Sequence, residues 1–166
     1  MTSVYVTVGS TGFDELVRAV STKAFLLALS QRGFTQLTVQ YGSSTDAFRP
    51  PPSAKDHHGI RIDSFDYTDR PLQYIEQAGL VICHAGTGSI LETLHSQRPA
   101  IVVVNGRLMD NHQREIAEEL AGREFVVCAE PEELAQCIEE EKYRELKTYP
   151  RADPQPIGEI LDEEML

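Results

Sequence analysis

With 166 residues, 41% hydrophobic and 25% charged, the chain is long enough for one domain that buries its core without disulfides or metals, and its composition is ordinary for a soluble globular protein. The formal net charge of −11 argues against a nucleic-acid backbone or an anionic bilayer surface as a direct partner. No apolar run approaches the ~18–20 residues needed to span a bilayer, and Val4–Val8 is too short for the core of a signal peptide.

The charge is uneven. Residues 1–129 carry 14 acids and 11 bases, a net −3, whereas residues 130–166 carry 12 acids and 4 bases, a net −8. The end of the chain therefore differs in character from the body. Cys83, Cys128 and Cys137 form no CxxC pair and read as small buried hydrophobes in a reducing compartment. The expected location is the cytosol, or a membrane surface approached from the cytosolic side.

In chain order, the pattern predicts a strand at Val4–Val8, helices at Phe13–Val20 and Ala24–Gln31, and a strand at Leu37–Tyr41. Residues 42–59, with the run Arg49-Pro50-Pro51-Pro52, read as a long loop. A strand at Ile60–Phe65 and a helix at Pro71–Gln77 follow, the helix starting from Asp69-Arg70 with proline in its first turn. Next come a strand at Leu80–Cys83, a helix at Ser89–Ser96, a strand at Ala100–Val104 and a helix at His112–Leu120. The last pair is a strand at Phe125–Cys128 and a helix at Pro131–Glu141, opened by Glu130. Several strands are almost wholly apolar, as parallel strands covered on both faces are. Alternation of this kind predicts an α/β class fold with a doubly wound, mostly parallel sheet. The domain is expected over residues 1–148, with a proline-containing linker at 149–156. In residues 157–166, Ile157, Ile160, Leu161 and Met165 recur at helical spacing, predicting a short amphipathic helix.

Ligands of open α/β sheets sit beyond the carboxyl ends of the strands, and three of those ends are rich in polar or small residues. After the first strand comes Gly9-Ser10-Thr11-Gly12. Small residues there let a ligand approach the backbone, and the N–H groups at the following helix start favour an anion. A tight turn capped by Thr11, with Asp14 three residues on, accounts for the same residues structurally.

After the fourth strand stands His84-Ala85-Gly86-Thr87-Gly88-Ser89-Ile90-Leu91-Glu92. Gly86, Thr87, Gly88 and Ser89 can offer N–H and hydroxyl donors to a diphosphate at a helix N-terminus. Glu92, one turn in, can accept two hydroxyls of a ribose. Ser89-x-x-Glu92 is also a plain capping box, but a capping box requires neither His84 nor the Gly-x-Gly spacing. The segment is not a dinucleotide fingerprint: Leu91 replaces the third glycine, and the acid follows Gly88 by four residues rather than ~20. The fifth strand leads into Asp110-Asn111-His112-Gln113. Asp110 or Asn111 can cap the helix there, while Asn111 and Gln113 can present amides to sugar hydroxyls. His57, His58 and His95 match no motif, and neither a metal-ligand cluster nor an Asp-x-Asp triplet is present, so no metal and no cofactor is expected.

Taken together, Val6-Thr7-Val8-Gly9-Ser10-Thr11-x-Phe13-Asp14, His84-x-Gly86-x-Gly88-Ser89-x-x-Glu92 and Leu108-Met109-Asp110-Asn111-His112-Gln113 resemble the family of small cytosolic subunits of dolichol-linked UDP-N-acetylglucosamine transferases. More broadly, the chain is similar to the C-terminal half of GT-B enzymes of glycosyltransferase family 28. Ser10 stands where that pattern has threonine, and Gly12 also departs from it. The resemblance implies a Rossmann-like half with Gly9, Ser10, Thr11, His84, Gly86, Thr87, Gly88 and Ser89 at the donor diphosphate. It implies Glu92 on the ribose, and Asn111 and Gln113 on the sugar, with His112 structural. It further implies a membrane-anchored partner subunit carrying the acceptor half and the general base. The reaction implied is transfer of GlcNAc from UDP-GlcNAc to GlcNAc-diphosphodolichol at the cytosolic face of the endoplasmic reticulum. Two other readings remain open: a split bacterial exopolysaccharide transferase using another UDP-sugar, and a non-catalytic nucleotide-binding module.

Overall fold

The computed structural model describes residues 2–104 and 111–150. Six parallel strands form one sheet in the order β3-β2-β1-β4-β5-β6: Ser3–Thr7 (β1), Gln36–Gln40 (β2), Arg61–Phe65 (β3), Leu80–His84 (β4), Ala100–Val103 (β5) and Val127–Ala129 (β6). The central strands are almost wholly buried, and β3 at one edge is the most polar and exposed. The registers Val6↔Val39 and Val6↔Ile82 put β1 between β2 and β4.

Successive residues of a strand face opposite sides, which sorts the core into two layers. Val4, Val6, Leu37, Val39, Leu80 and Ile82 pack under Asp14–Ala19 (α1), Lys23–Gln31 (α2) and Leu134–Glu140 (α6), through residues such as Leu16, Phe25, Leu29 and Ile138. Tyr5, Val81, Cys83, Ala100 and Val102 pack under Pro71–Gln77 (α3), Thr87–His95 (α4) and Asn111–Gly122 (α5), through Ile75, Ile90, Leu94 and Leu120. The doubly wound expectation holds, with all pairings parallel. The β2–β3 connection has no α-helix; it carries two 3₁₀ turns, Thr45–Ala47 and Ala54–His57, the second tied to α2 by the Lys23–Asp56 ion pair at 3.3 Å.

Three local expectations change. Helix α1 is not capped by Thr11: its N-cap is Phe13, without a side-chain cap, and the Phe13 N–H donates to Ser44 Oγ at 2.8 Å. The turn before α1 is instead tied to the loop after β2, where the Thr11 carbonyl accepts from the Ser43 N–H at 2.7 Å and the Ser43 hydroxyl at 2.9 Å. Helix α4 begins at Thr87 with Gly86 as N-cap, so Ser89 is its third residue and no Ser89-x-x-Glu92 capping box forms. Finally, Tyr149, read as the first linker residue, is 2% exposed and packs on Phe125 and His95 at centroid distances of 5.4 and 5.9 Å. The packed body thus reaches at least that residue. The expected helix over 157–166 and most of the 149–156 linker lie outside the described residues.

Candidate functional site

From β1 the chain winds toward β2 and β3, and from β4 toward β5 and β6. The loops at the carboxyl ends of the adjacent strands β1 and β4 therefore part, opening the crevice where doubly wound sheets bind ligands.

The loop after β1 turns at Gly9, whose φ of +75° favours glycine. A Cβ there would also sit 2.8–2.9 Å from the His84 ring. A Cβ on Gly86 would collide with the same ring. His84, the last residue of β4, thus packs against both glycine turns. Burial pulls its imidazole below the ordinary histidine range, with the Thr7 backbone opposing the shift. Its Nδ1 is buried without a hydrogen bond of normal geometry. The ring is neutral near pH 7.

The first turn of α4 carries no acidic residue and no side-chain cap. The N–H groups of Thr87, Gly88 and Ser89 occupy positions that lack intrahelical acceptors and carry the positive end of the helix dipole. One turn on, Glu92 is half-buried and faces the same opening as Ser89.

That opening is a cleft of about 630 Å³, within the 300–1,000 Å³ range typical of small-molecule sites. Gly9 and Ser10 lie on one side, Ser89 and Glu92 on another, with Tyr5, Thr7 and Gln40 beneath. The remaining wall is the continuous segment Tyr67–Gln73. Of the residues singled out from sequence, Gly9, Ser10, Ser89 and Glu92 share this cleft. His84 and Gly86 support it from below the turn, and Thr87 and Gly88 stand in the adjoining helix turn. Thr11 is exposed, with its carbonyl turned to Ser43. Asn111 and Gln113 start α5 beyond the neighbouring strand, and Gln113 is not among the residues that line the cleft. The Asn111 side chain and residues 105–110 lie outside the described residues.

Sequence reasoning missed Tyr5, Gln40 and the wall 67–73. Gln40 is 3% exposed, a buried amide at the carboxyl end of β2. Tyr5 is 1% exposed; its hydroxyl makes no hydrogen bond among the described residues. Burial foremost, with nearby Tyr74 and Glu92, pushes it up to about 12, against an opposing contribution from the Thr7 side chain.

The glycosyltransferase family 28 C-terminal domain matches residues 3–162. The human UDP-N-acetylglucosamine transferase subunit ALG13 is 41% identical over 120 residues, which are 72% of this chain and 10% of the human protein; the chain thus spans about a tenth of that relative's length. The subunit of the same name from Eremothecium gossypii is 35% identical over 186 residues, covering 97% of this chain and 92% of the relative. Among solved structures, the NMR solution structure of ALG13 superposes with a TM-score of 0.70 at 26% identity, covering 96% of this chain and 94% of that one. By the residues matched and the share of both chains aligned, the chain belongs to the glycosyltransferase family 28 C-terminal domain family and, within it, to the family of the UDP-N-acetylglucosamine transferase subunit ALG13.

Proposed function

We propose that this chain is the donor-binding half of a split glycosyltransferase that moves GlcNAc from UDP-GlcNAc to GlcNAc-diphosphodolichol. The observation that carries the reading is the meeting of Gly9 and Ser10 with Ser89 and Glu92 in one cleft at the switch point of the sheet. A diphosphate set between the Gly9 turn and the α4 N-terminus would take backbone N–H and hydroxyl donors from both sides. Glu92, one turn deeper, would accept the two ribose hydroxyls. The wall from Tyr67 to Gln73 is then left for the base. Asn111 and Gln113, on the next βα connection, would reach the sugar.

Negative charge grows on the leaving UDP as the glycosidic bond breaks. Donors fixed before the reaction, at the α4 N-terminus and the Gly9 turn, stabilise that charge without reorganising. The general base belongs to the acceptor half. No helix among the described residues is long and apolar enough to cross a membrane, and the relatives are named as subunits. That naming supports a partner subunit, which in this reading is membrane-anchored and brings the lipid acceptor to this domain at the cytosolic face of the endoplasmic reticulum.

The test is transfer of radiolabelled sugar onto a GlcNAc-diphosphate lipid by the chain co-expressed with its membrane partner, using a panel of UDP-sugars. UDP-GlcNAc is expected to be the preferred donor, and Glu92→Ala to abolish most of the transfer. Preference for another UDP-sugar would point to the exopolysaccharide reading. Binding of UDP and UDP-GlcNAc with equal affinity and no transfer would point to a nucleotide-binding module.

A further inference from the structure

Gln40 closes β2 beneath the cleft, and its side-chain amide is fully engaged. Oε1 accepts from the Thr7 hydroxyl at 2.5 Å, the Val8 N–H at 3.1 Å and the Gly9 N–H at 3.2 Å. Nε2 donates to the Gly9 carbonyl at 2.8 Å and the Asp66 carbonyl at 2.7 Å. Both donors of the amide are used and its oxygen serves three donors, so the amide has one admissible orientation. These partners sit on two different sides of the site. Gly9 forms the turn that faces Ser89, and Asp66 is the residue before the wall that begins at Tyr67. The backbone that follows Gln40 is tied to the second side as well, since Tyr41 and Gly42 donate to the carbonyls of Phe65 and Asp66 at 3.0 and 2.9 Å.

We propose that Gln40 is a positioning residue: it sets the spacing between the Gly9–Ser10 turn and the Tyr67 wall, so that the diphosphate and nucleoside ends of the donor are held as one unit. This rests on the donor-site reading above. A buried side chain needed only for packing would be served at a parallel strand end by valine or leucine, as at Leu37 and Val39 of the same strand. An amide here costs desolvation unless every partner is in place, and the partners it has are the backbone groups that shape the two sides of the cleft. Gln40 does not need to touch the donor's reacting atoms to matter. It fixes the Gly9 N–H and carbonyl directions, and with them the position at which the turn meets a phosphate.

The experiment is an NMR or calorimetric titration of the full chain with uridine, UDP and UDP-GlcNAc, comparing wild type with Gln40→Glu and Gln40→Met. Gln40→Glu keeps the size and the three accepted bonds while opposing an oxygen to the Gly9 and Asp66 carbonyls. Gln40→Met keeps the volume and removes all five bonds. Both variants are expected to bind UDP at least tenfold more weakly and uridine less than threefold more weakly, collapsing the gain that the diphosphate gives over the nucleoside. Melting curves report the folded fraction, and affinities are referred to it. Equal losses for uridine and UDP, or no loss in either variant, would overturn the positioning role. If Gln40→Met does not fold, Gln40→Glu alone decides by the same ratio. A wild-type chain that binds UDP no more tightly than uridine overturns the donor-site reading itself, and this inference with it.

Discussion

The capping-box alternative for Ser89 and Glu92 disappears in the fold, because Gly86 is the N-cap and Ser89 lies inside the helix. Glu92 is thereby left with no structural duty at the helix start, and truncating it removes no cap. Glu92→Ala is expected to weaken UDP-GlcNAc binding by about 10- to 150-fold, the equivalent of one charge-assisted hydrogen bond of about 1.5–3 kcal/mol, with thermal stability almost unchanged. Equal donor affinity in wild type and variant, measured by titration, would reject the ribose assignment. His84 makes a second prediction through its depressed pKa. Below about pH 6.5, the free-histidine value, the unfolded chain takes up a proton more readily than the folded one, so stability falls as pH drops and is restored as pH rises. Urea unfolding at pH 7.5 and 5.5 is expected to show a larger loss for wild type than for His84→Gln; equal losses would mean that His84 does not carry this linkage. The glycine turn at the start of α4 was legible because His84, Gly86 and Gly88 lie within five residues of one another. Tyr5 and Gln40 were not, because a single side chain within or ending a strand carries no local pattern that separates a cleft floor from a core position.

Among the elements, each predicted strand is present with its ends within one or two residues, because covered central strands must be largely apolar and helices between them amphipathic. The helix starts were harder. The two candidate N-caps, Ser89 of a capping box and Gly86, differ by three residues, and Ser89-x-x-Glu92 matched the former while the Gly86-Thr87-Gly88 turn produced the latter. The tie that holds the start of α1 lay beyond local reading altogether, since Ser44, which accepts from the Phe13 N–H, is 31 residues away. The helix ends carry their own signature. Gln97, just past α4, has φ +57° with no glycine to relieve it, in the place where helices usually end on glycine. A side chain in that region costs about 1–2 kcal/mol, offset in part by the greater chain entropy that glycine loses on folding. Gln97→Gly is therefore expected to stabilise the domain by about 0.5–1 kcal/mol, visible as a melting temperature higher by about 1–4 °C. A lower melting temperature would show that the Gln97 side chain contributes contacts worth more than the backbone relief.

At the scale of the whole molecule, the surface is incomplete around the cleft. Tyr67 and Leu72, 65% and 45% exposed, both line it, and among the described residues Leu27 is the only other large hydrophobic so exposed. Apolar groups at the mouth of a polar cleft suit closure by a second body, as the proposed split transferase would require. The chain after Tyr149 offers a candidate tether. Tyr149 is anchored in the α4–α5 layer, so the segment that follows leaves from a fixed point. We propose that the stripe Ile157, Ile160, Leu161 and Met165 forms a helix on docking, since a helix of that length does not hold alone in water. Docking onto this domain would couple the segment to the stability of the body, whereas docking onto the partner would couple it to assembly. We expect the second: deletion of residues 157–166, or Ile160→Asp with Leu161→Asp, should reduce co-precipitation of the membrane subunit at least tenfold while shifting UDP-GlcNAc affinity of the isolated chain less than threefold. The two measurements are made on the same preparations, with melting curves alongside. A truncated chain that captures its partner at wild-type levels would place the stripe outside the assembly interface, and a matching fall in melting temperature would assign it to the body of this domain.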